Sequence, residues 1–190
     1  TRCFEVSWAR DVYKRQGIIQ ASCPEILDSD VKILNKKEYK NLCEYSGKTI
    51  LVVNTASKCG FTYQYEQLED MYREYGSENF MVLAFPSRDF LYQEFSDEEA
   101  VEEFCSTNYE ITFPMFSITK VNASRTHPFY EKLFRATNER PRWNFHKYLI
   151  KKDKSKVELE KHIKVGELSF GLGTISVSYT HLTLPTTGSV

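Results

Sequence analysis

The chain has 190 residues with 25 basic and 26 acidic side chains, for a formal net charge of −1. That balance, with no basic stripe, argues against nucleic acid as a partner, and no apolar run approaches the ~20 residues of a membrane helix. Five cysteines with no Cys-x-x-Cys pair argue against a disulfide-framework miniprotein, structural zinc and the usual dithiol oxidoreductase motif. The length suits a single domain with a core of its own, and twelve Tyr, thirteen Phe and two Trp call for an aromatic core or pocket.

The two ends read differently from the rest. Asp11-Val12-Tyr13-Lys14-Arg15-Gln16 resembles a translation of the transposase end used in sequencing-library adaptors, and Val6 to Arg10 resembles adaptor sequence upstream of it. Val177-Ser178-Tyr179-Thr180-His181-Leu182-Thr183-Leu184-Pro185-Thr186 resembles the opposite strand in another frame. Residues 1–16 and 177–190 are therefore set aside from fold reasoning and expected to be poorly ordered. Residues 17–29 read as a leader: 17–23 are short, apolar and end in small residues. They suit either the remnant of a signal peptide, which would place the protein in a periplasm or outside the cell, or a plain extension of a cytoplasmic protein. The folded domain is expected over 30–165, with an eroded C-terminal region over 166–190.

Residues 24–45 are polar and mixed, with a turn or short helix at 36–39. Cys23 and Cys43 suit either a disulfide or two small buried hydrophobes. Residues 49–54 form a near-continuous apolar run, the pattern of a parallel strand covered on both faces. A helix is expected over 62–75, with Thr62 as N-cap and Gly76 just past its end. Residues 81–85 are a second buried strand stopped by Pro86, which completes a βαβ unit. Ligands of such units collect at the C-terminal ends of the strands, where the loop carrying Cys59 lies. A cysteine at a helix entrance beside Lys58 meets unpaired N–H groups that favour the thiolate. A buried, inert cysteine is the competing reading.

Ser96-Asp97-Glu98-Glu99 is a capping box opening an acidic helix to about Asn108. That helix turns Cys105 inward and leaves the run 97–103 as a solvated face. Residues 112–118 read as a third strand with Pro114 near its start. A helix follows over 128–137, a fourth strand over 145–150 and a hairpin partner at 157–159; beyond Lys161 the pattern degrades. The expected class is α/β, a central mixed sheet of four or five strands flanked by helices.

Three separated motifs now stand in order: residues 54–62, Phe85-Pro86 with Phe90 and Gln93-Glu94, and Trp143-Asn144-Phe145, with Thr112-Phe113-Pro114 between the last two. In order and spacing they resemble the glutathione peroxidase family over residues 23–150. The resemblance implies a thioredoxin-like fold and reduction of hydrogen peroxide or organic hydroperoxides through a cysteine sulfenic acid. No cofactor or metal is implied. Residue by residue it makes Cys59 the peroxidatic nucleophile, in the place of selenocysteine in some members, with Gln93, Trp143 and Asn144 completing the catalytic tetrad. Amide and indole N–H groups suit a site that must hold a thiolate and a leaving oxygen without titrating.

Cys105 matches the resolving cysteine of members recycled by thioredoxin, with a buried structural thiol as the competing reading; glutathione is the alternative reductant. A disulfide between Cys59 and Cys105 needs Cα atoms within about 7 Å, so the helix carrying Cys105 is expected to unwind. This chain departs from many relatives in carrying Ser87-Arg88-Asp89 for Cys-Asn-Gln and Phe95-Ser96 for Pro-Gly. Arg88 is expected to alter charge at the site mouth. The short connection 121–128 lacks an insertion associated with tetrameric members, which implies a monomer. His127 and His146 lack the spaced partners a metal needs. Arg140, Arg142 and Lys147 flank the Trp-Asn pair, either to attract glutathione carboxylates or an acidic reductant, or merely as solvated charges. Thr62 in the fourth place from Cys59 disfavours a plain disulfide reductase. A redox sensor that passes oxidation to a partner without turnover is the alternative reading of Cys59.

Overall fold

The computed structural model describes residues 23–76, 79–122 and 125–152, and the backbone of 157–158, 169–170 and 173–174. The adaptor-like ends, the leader before Cys23 and Leu159 lie outside the described residues. In chain order the elements are β1 (Asp30–Lys32), β2 (Tyr39–Asn41), a 3-10 turn at Leu42–Tyr45, β3 (Thr49–Thr55), α1 (Gln64–Tyr75), β4 (Phe80–Pro86), α2 (Glu98–Tyr109), α3 (Pro128–Thr137), β5 (Lys147–Ile150), β6 (Val157–Glu158), β7 (Ser169–Phe170) and β8 (Gly173–Thr174).

The main sheet has the order β4-β3-β5-β6. β3 runs parallel to β4, with Leu51 opposite Val82, and antiparallel to β5, with Leu51 opposite Leu149. β6 pairs antiparallel with β5, and β7 with β8. Ile50, Leu51, Val52 and Val53 are all 0% exposed, because side chains alternate between two covered faces. Ile50, Val52, Leu83, Phe85, Tyr148 and Ile150 meet Phe129, Tyr130 and Leu133 of α3 on one face. Leu51, Val53, Val82, Ala84 and Leu149 meet Tyr65, Leu68 and Met71 of α1 and Val101 and Cys105 of α2 on the other. The expected mixed α/β sheet between helices is what the chain builds.

Several boundaries differ from the sequence reading, each for a local reason. The segment expected as a third strand makes only two isolated bridges, Met115 with Ala84 and Phe116 with Ile33. Pro114 has no N–H to give, and the Thr112 N–H and hydroxyl are both taken by the buried Glu69 carboxylate. The strand expected from Phe145 starts at Lys147, because Phe145 sits at φ 62°, outside the β region. α2 is capped by Asp97, which accepts from Ala100 N, not by Ser96. Its acidic face is not wholly solvated: Glu98 pairs with Lys32 at 2.8 Å and Glu102 accepts from Asn35 Nδ2 at 2.7 Å. These bonds tie the helix to the β1–β2 hairpin, whose turn contains Asn35 at φ 51°, a conformation asparagine tolerates well.

Cys23 and Cys43 form a disulfide with Cα atoms 5.4 Å apart. It anchors the start of the domain to the turn before β3. Closing a loop with a sequence separation of 20 is worth about 3 kcal/mol in the chain-entropy estimate. The double variant Cys23→Ser/Cys43→Ser should therefore unfold with a free energy lower by about that amount in urea titration, and reductant should lower the unfolding midpoint of the parent alone.

Candidate active site

The site gathers where β3 ends. Asn54, 0% exposed directly after the apolar run 50–53, donates its Nδ2 to the Trp143 carbonyl at 3.1 Å. Its own carbonyl accepts from Phe145 N at 2.6 Å, and its N–H donates to His146 O at 3.3 Å. One residue thus brackets the whole Trp143–Asn144–Phe145 segment. A buried asparagine among valines was the signal that could have identified it, since an interior amide needs partners.

After Thr55 the chain makes a turn before entering α1. Thr62 is not the helix cap: Tyr63 holds that place and makes no side-chain cap bond. The Thr62 hydroxyl instead accepts from Cys59 N at 3.0 Å and lies 2.9 Å from Ala56 O and 2.6 Å from Cys59 O as its acceptors. It closes the Cys59 turn from inside. Cys59, half-buried and a free thiol, therefore precedes the first residue of α1 by a full turn of chain. The N–H aimed at its sulfur belongs to Phe61, at 3.5 Å. Lys58 turns its ammonium over the Phe95 ring, 3.9 Å from the centroid.

The third segment comes from the loop after β4. Gln93 accepts from Lys58 N at 2.8 Å through its carbonyl and from Asn144 Nδ2 at 2.8 Å through Oε1. Gln93 and Asn144 are thus in direct contact, and the Gln93 backbone is joined to the residue preceding Cys59. Trp143 stands at the rim, 38% exposed, its ring 5.7 Å from that of Phe90. Leu91 and Tyr92, both at φ 53° and mostly exposed, are held in a conformation that costs non-glycine residues energy. Arg88 packs over the Tyr92 ring at 5.3 Å, and Asp89 accepts from Val121 N and Asn122 N at 2.7 and 2.8 Å.

Cys105 lies on the inner face of α2, 2% exposed and a free thiol. Burial pushes it up to about 12, against the lowering effect of the Tyr65 hydroxyl beside it. The basic residues expected near the mouth are largely committed elsewhere. Arg140 pairs with Glu131 at 2.9 Å and covers the Phe134 ring, while Arg142, well exposed, approaches Glu139 at 3.6 Å. Lys147 is buried, donating to Gln64 Oε1 at 2.6 Å and Phe145 O at 2.8 Å. His127 caps α3 by accepting from Phe129 N, and the His146 ring meets that of Tyr148. Among the described residues no three His, Cys, Asp or Glu side chains gather to hold a metal ion.

Residues 26–134 match the family model described as glutathione peroxidase. The chain belongs to the glutathione peroxidase family. The match takes in Cys59, Gln93 and Cys105, whereas Trp143 and Asn144 lie beyond it. The glutathione peroxidase homolog BsaA of Halalkalibacterium halodurans is 40% identical over 129 residues, covering 66% of this chain and 82% of that protein. The crystal structure of Trgpx in its apo form is 37% identical, with a TM-score of 0.53 over 70% of this chain and 81% of that one. A thioredoxin-family thiol:disulfide interchange protein from Chlorobium tepidum, 10% identical with a TM-score of 0.53 over 68% of this chain and 79% of its own, shares the fold alone. The fold is thioredoxin-like, and the chain is a glutathione peroxidase-like thiol peroxidase.

Two outcomes follow from this geometry. Thr62→Val removes the hydroxyl that closes the Cys59 turn and should cost about 1–3 kcal/mol of stability, with kcat/KM for peroxide falling at least about tenfold; Thr62→Ser should keep both near the parent values. Burial also lowers Lys147 from 10.5 to about 8. The unfolded chain then keeps that proton to higher pH, so between pH 8 and 10.5 the unfolded state binds more protons and this contribution to stability rises with pH. The stability of the parent relative to Lys147→Met should move in the parent's favour across that window, by at most about 1.4 kcal/mol per pH unit, in denaturant titrations at stepped pH.

Proposed function

We propose that Cys59 is the peroxidatic nucleophile, with Gln93, Trp143 and Asn144 as its hydrogen-bonding partners in a tetrad. The observation that carries this reading is the bond from Asn144 Nδ2 to Gln93 Oε1, together with the bond from Lys58 N to Gln93 O. These two bonds join the Gln93 loop to Asn144 and to the residue before Cys59, which supports grouping them in one site. In the first step the Cys59 thiolate attacks the terminal oxygen of a hydroperoxide and the O–O bond breaks. Sulfur becomes a sulfenic acid, and the alkoxide or hydroxide leaves with the proton that the thiol had released. Side-chain N–H groups of Gln93, Asn144 and Trp143 can hold the developing charge without ionising themselves.

Cys105 is the proposed resolving thiol. Its condensation with the Cys59 sulfenic acid forms a disulfide and releases water, and a dithiol reductant of the thioredoxin type then restores both thiols. Cys105 is buried on α2 and held there as a thiol, which favours an opening of the helix for this step; such an opening breaks the Glu98–Lys32 and Glu102–Asn35 bonds. Glutathione acting directly on the sulfenic acid would bypass this opening. We further propose that the protein works as a monomer, for which the short connection 121–128 is the support.

Steady-state peroxide consumption with thioredoxin and with glutathione tests the assignment. Cys59→Ser should lose all turnover. Cys105→Ser should lose thioredoxin-dependent turnover and keep one equivalent of peroxide reduction; full turnover with thioredoxin would remove the resolving role. Stoichiometric oxidation of the parent without cycling would support a redox sensor instead. Amide hydrogen exchange over 98–109 should be faster in the oxidised protein than in the reduced one, and unchanged protection would count against helix opening.

A further inference from the structure

Beneath the Cys59 turn lies a carboxylate that the chemistry above leaves unused. Glu94 is 1% exposed. Its Oε1 accepts from Ser57 N at 3.2 Å and from Phe95 N at 2.9 Å. Its Oε2 has no hydrogen-bond partner, and Glu94 forms no ion pair among the described residues. A buried carboxylate normally collects donors on both oxygens, since each lone pair left dry costs free energy. The two backbone donors converge on one oxygen, so Glu94 binds the neighbouring loops through Oε1. Burial likewise raises the Glu94 carboxyl above its ordinary value, toward the neutral form.

Position in the chain explains why the group is there. Residues 93 and 94 point opposite ways: Gln93 reaches Asn144, and Glu94 turns inward. The loop carrying Cys59 is joined to the Gln93 loop by two bonds, Lys58 N to Gln93 O and Ser57 N to Glu94 Oε1. The first alone leaves a pivot about one bond; the second fixes the angle. Around the same junction Asn54, Thr55, Ser57 and Asn144 are buried polar residues as well.

We infer that Glu94 is a positioning residue for peroxide reduction: its Oε1, as a hydrogen-bond acceptor, sets the Ser57–Cys59 turn against Gln93 and Asn144. This rests on Cys59 being the nucleophile. The test uses the full chain and two reactions of the reduced protein, oxidation by hydrogen peroxide and alkylation by iodoacetamide. The first requires the assembled partners; the second needs the thiolate alone. Glu94→Leu should slow the peroxide reaction by about 10- to 100-fold, the scale of an ångström of misplacement, with alkylation within about threefold of the parent. Glu94→Gln, which retains the acceptor oxygen and discards the charge, should restore the peroxide rate to within about threefold. A Glu94→Leu protein as fast with peroxide as the parent, or a Glu94→Gln protein as slow as Glu94→Leu, overturns the inference. Should Glu94→Leu fail to fold, hydrogen exchange in the parent decides: the Ser57 and Phe95 amides must be protected, and free exchange at either overturns it. Peroxide consumption that survives Cys59→Ser overturns the nucleophile assignment itself, a result separable from all of the above.

Discussion

A strand with no exposed side has to end somewhere, and the place where β3 ends determines the rest of this molecule. Ile50 to Val53 are sealed between two cores, so the first polar residue after them, Asn54, arrives already buried. Its side-chain N–H and both its backbone groups must find partners inside the protein. They find them in the segment Trp143 to His146, which is thereby held next to the turn that carries Cys59. The constraint is hydrogen-bond satisfaction in a dry interior, and it fixes the segment 143–146 at the end of β3.

The same junction departs from what stability alone would favour. Asn54, Thr55, Ser57, Glu94 and Asn144 bury polar side chains there. Non-glycine residues at positive φ stand at Leu91 and Tyr92, each a cost of about 1–3 kcal/mol. Such costs persist where surrounding structure over-determines them, and here the surroundings are the β3–β4 parallel pair and the buried aromatic cluster of Phe85, Phe116, Phe129 and Tyr130. A buried sheet end carrying strained polar loops is the setting that would keep the proposed site in place.

Cys59 and Cys105 make a contrast within one protein. Cys59 stands on a turn with an N–H pointed at its sulfur. Cys105 is packed against Tyr65 on the inner face of α2, and burial holds it as a thiol. α2 is itself fastened by side-chain bonds to the β1–β2 turn, so exposing the second thiol means releasing a helix at both its core face and its charged face. That makes the helix, not the chemistry at Cys59, the element whose stability would govern recycling through a disulfide.

Residue order alone determined those elements whose signal is local. The apolar run of β3, the spacing of Leu68 and Met71 in α1, the strand ended by Pro86 and the helix opening at Pro128 all emerged near their expected bounds, because periodicity and capping act within a few residues. The family, the peroxidase class and the placement of Cys59 in a loop after a buried strand were legible for the same reason: three motifs stand in register along the chain. What tertiary structure decided was wherever a distant group claimed a local donor or acceptor. Glu69 takes the Thr112 amide and so dissolves a strand around Pro114. Thr62 gives its hydroxyl to the Cys59 turn and leaves the helix cap to Tyr63. Asn54 bends Phe145 out of β5, and Glu94 reaches inward to Ser57. None of these choices has a sequence period, since each partner lies on another element and is reached only after the sheet has formed.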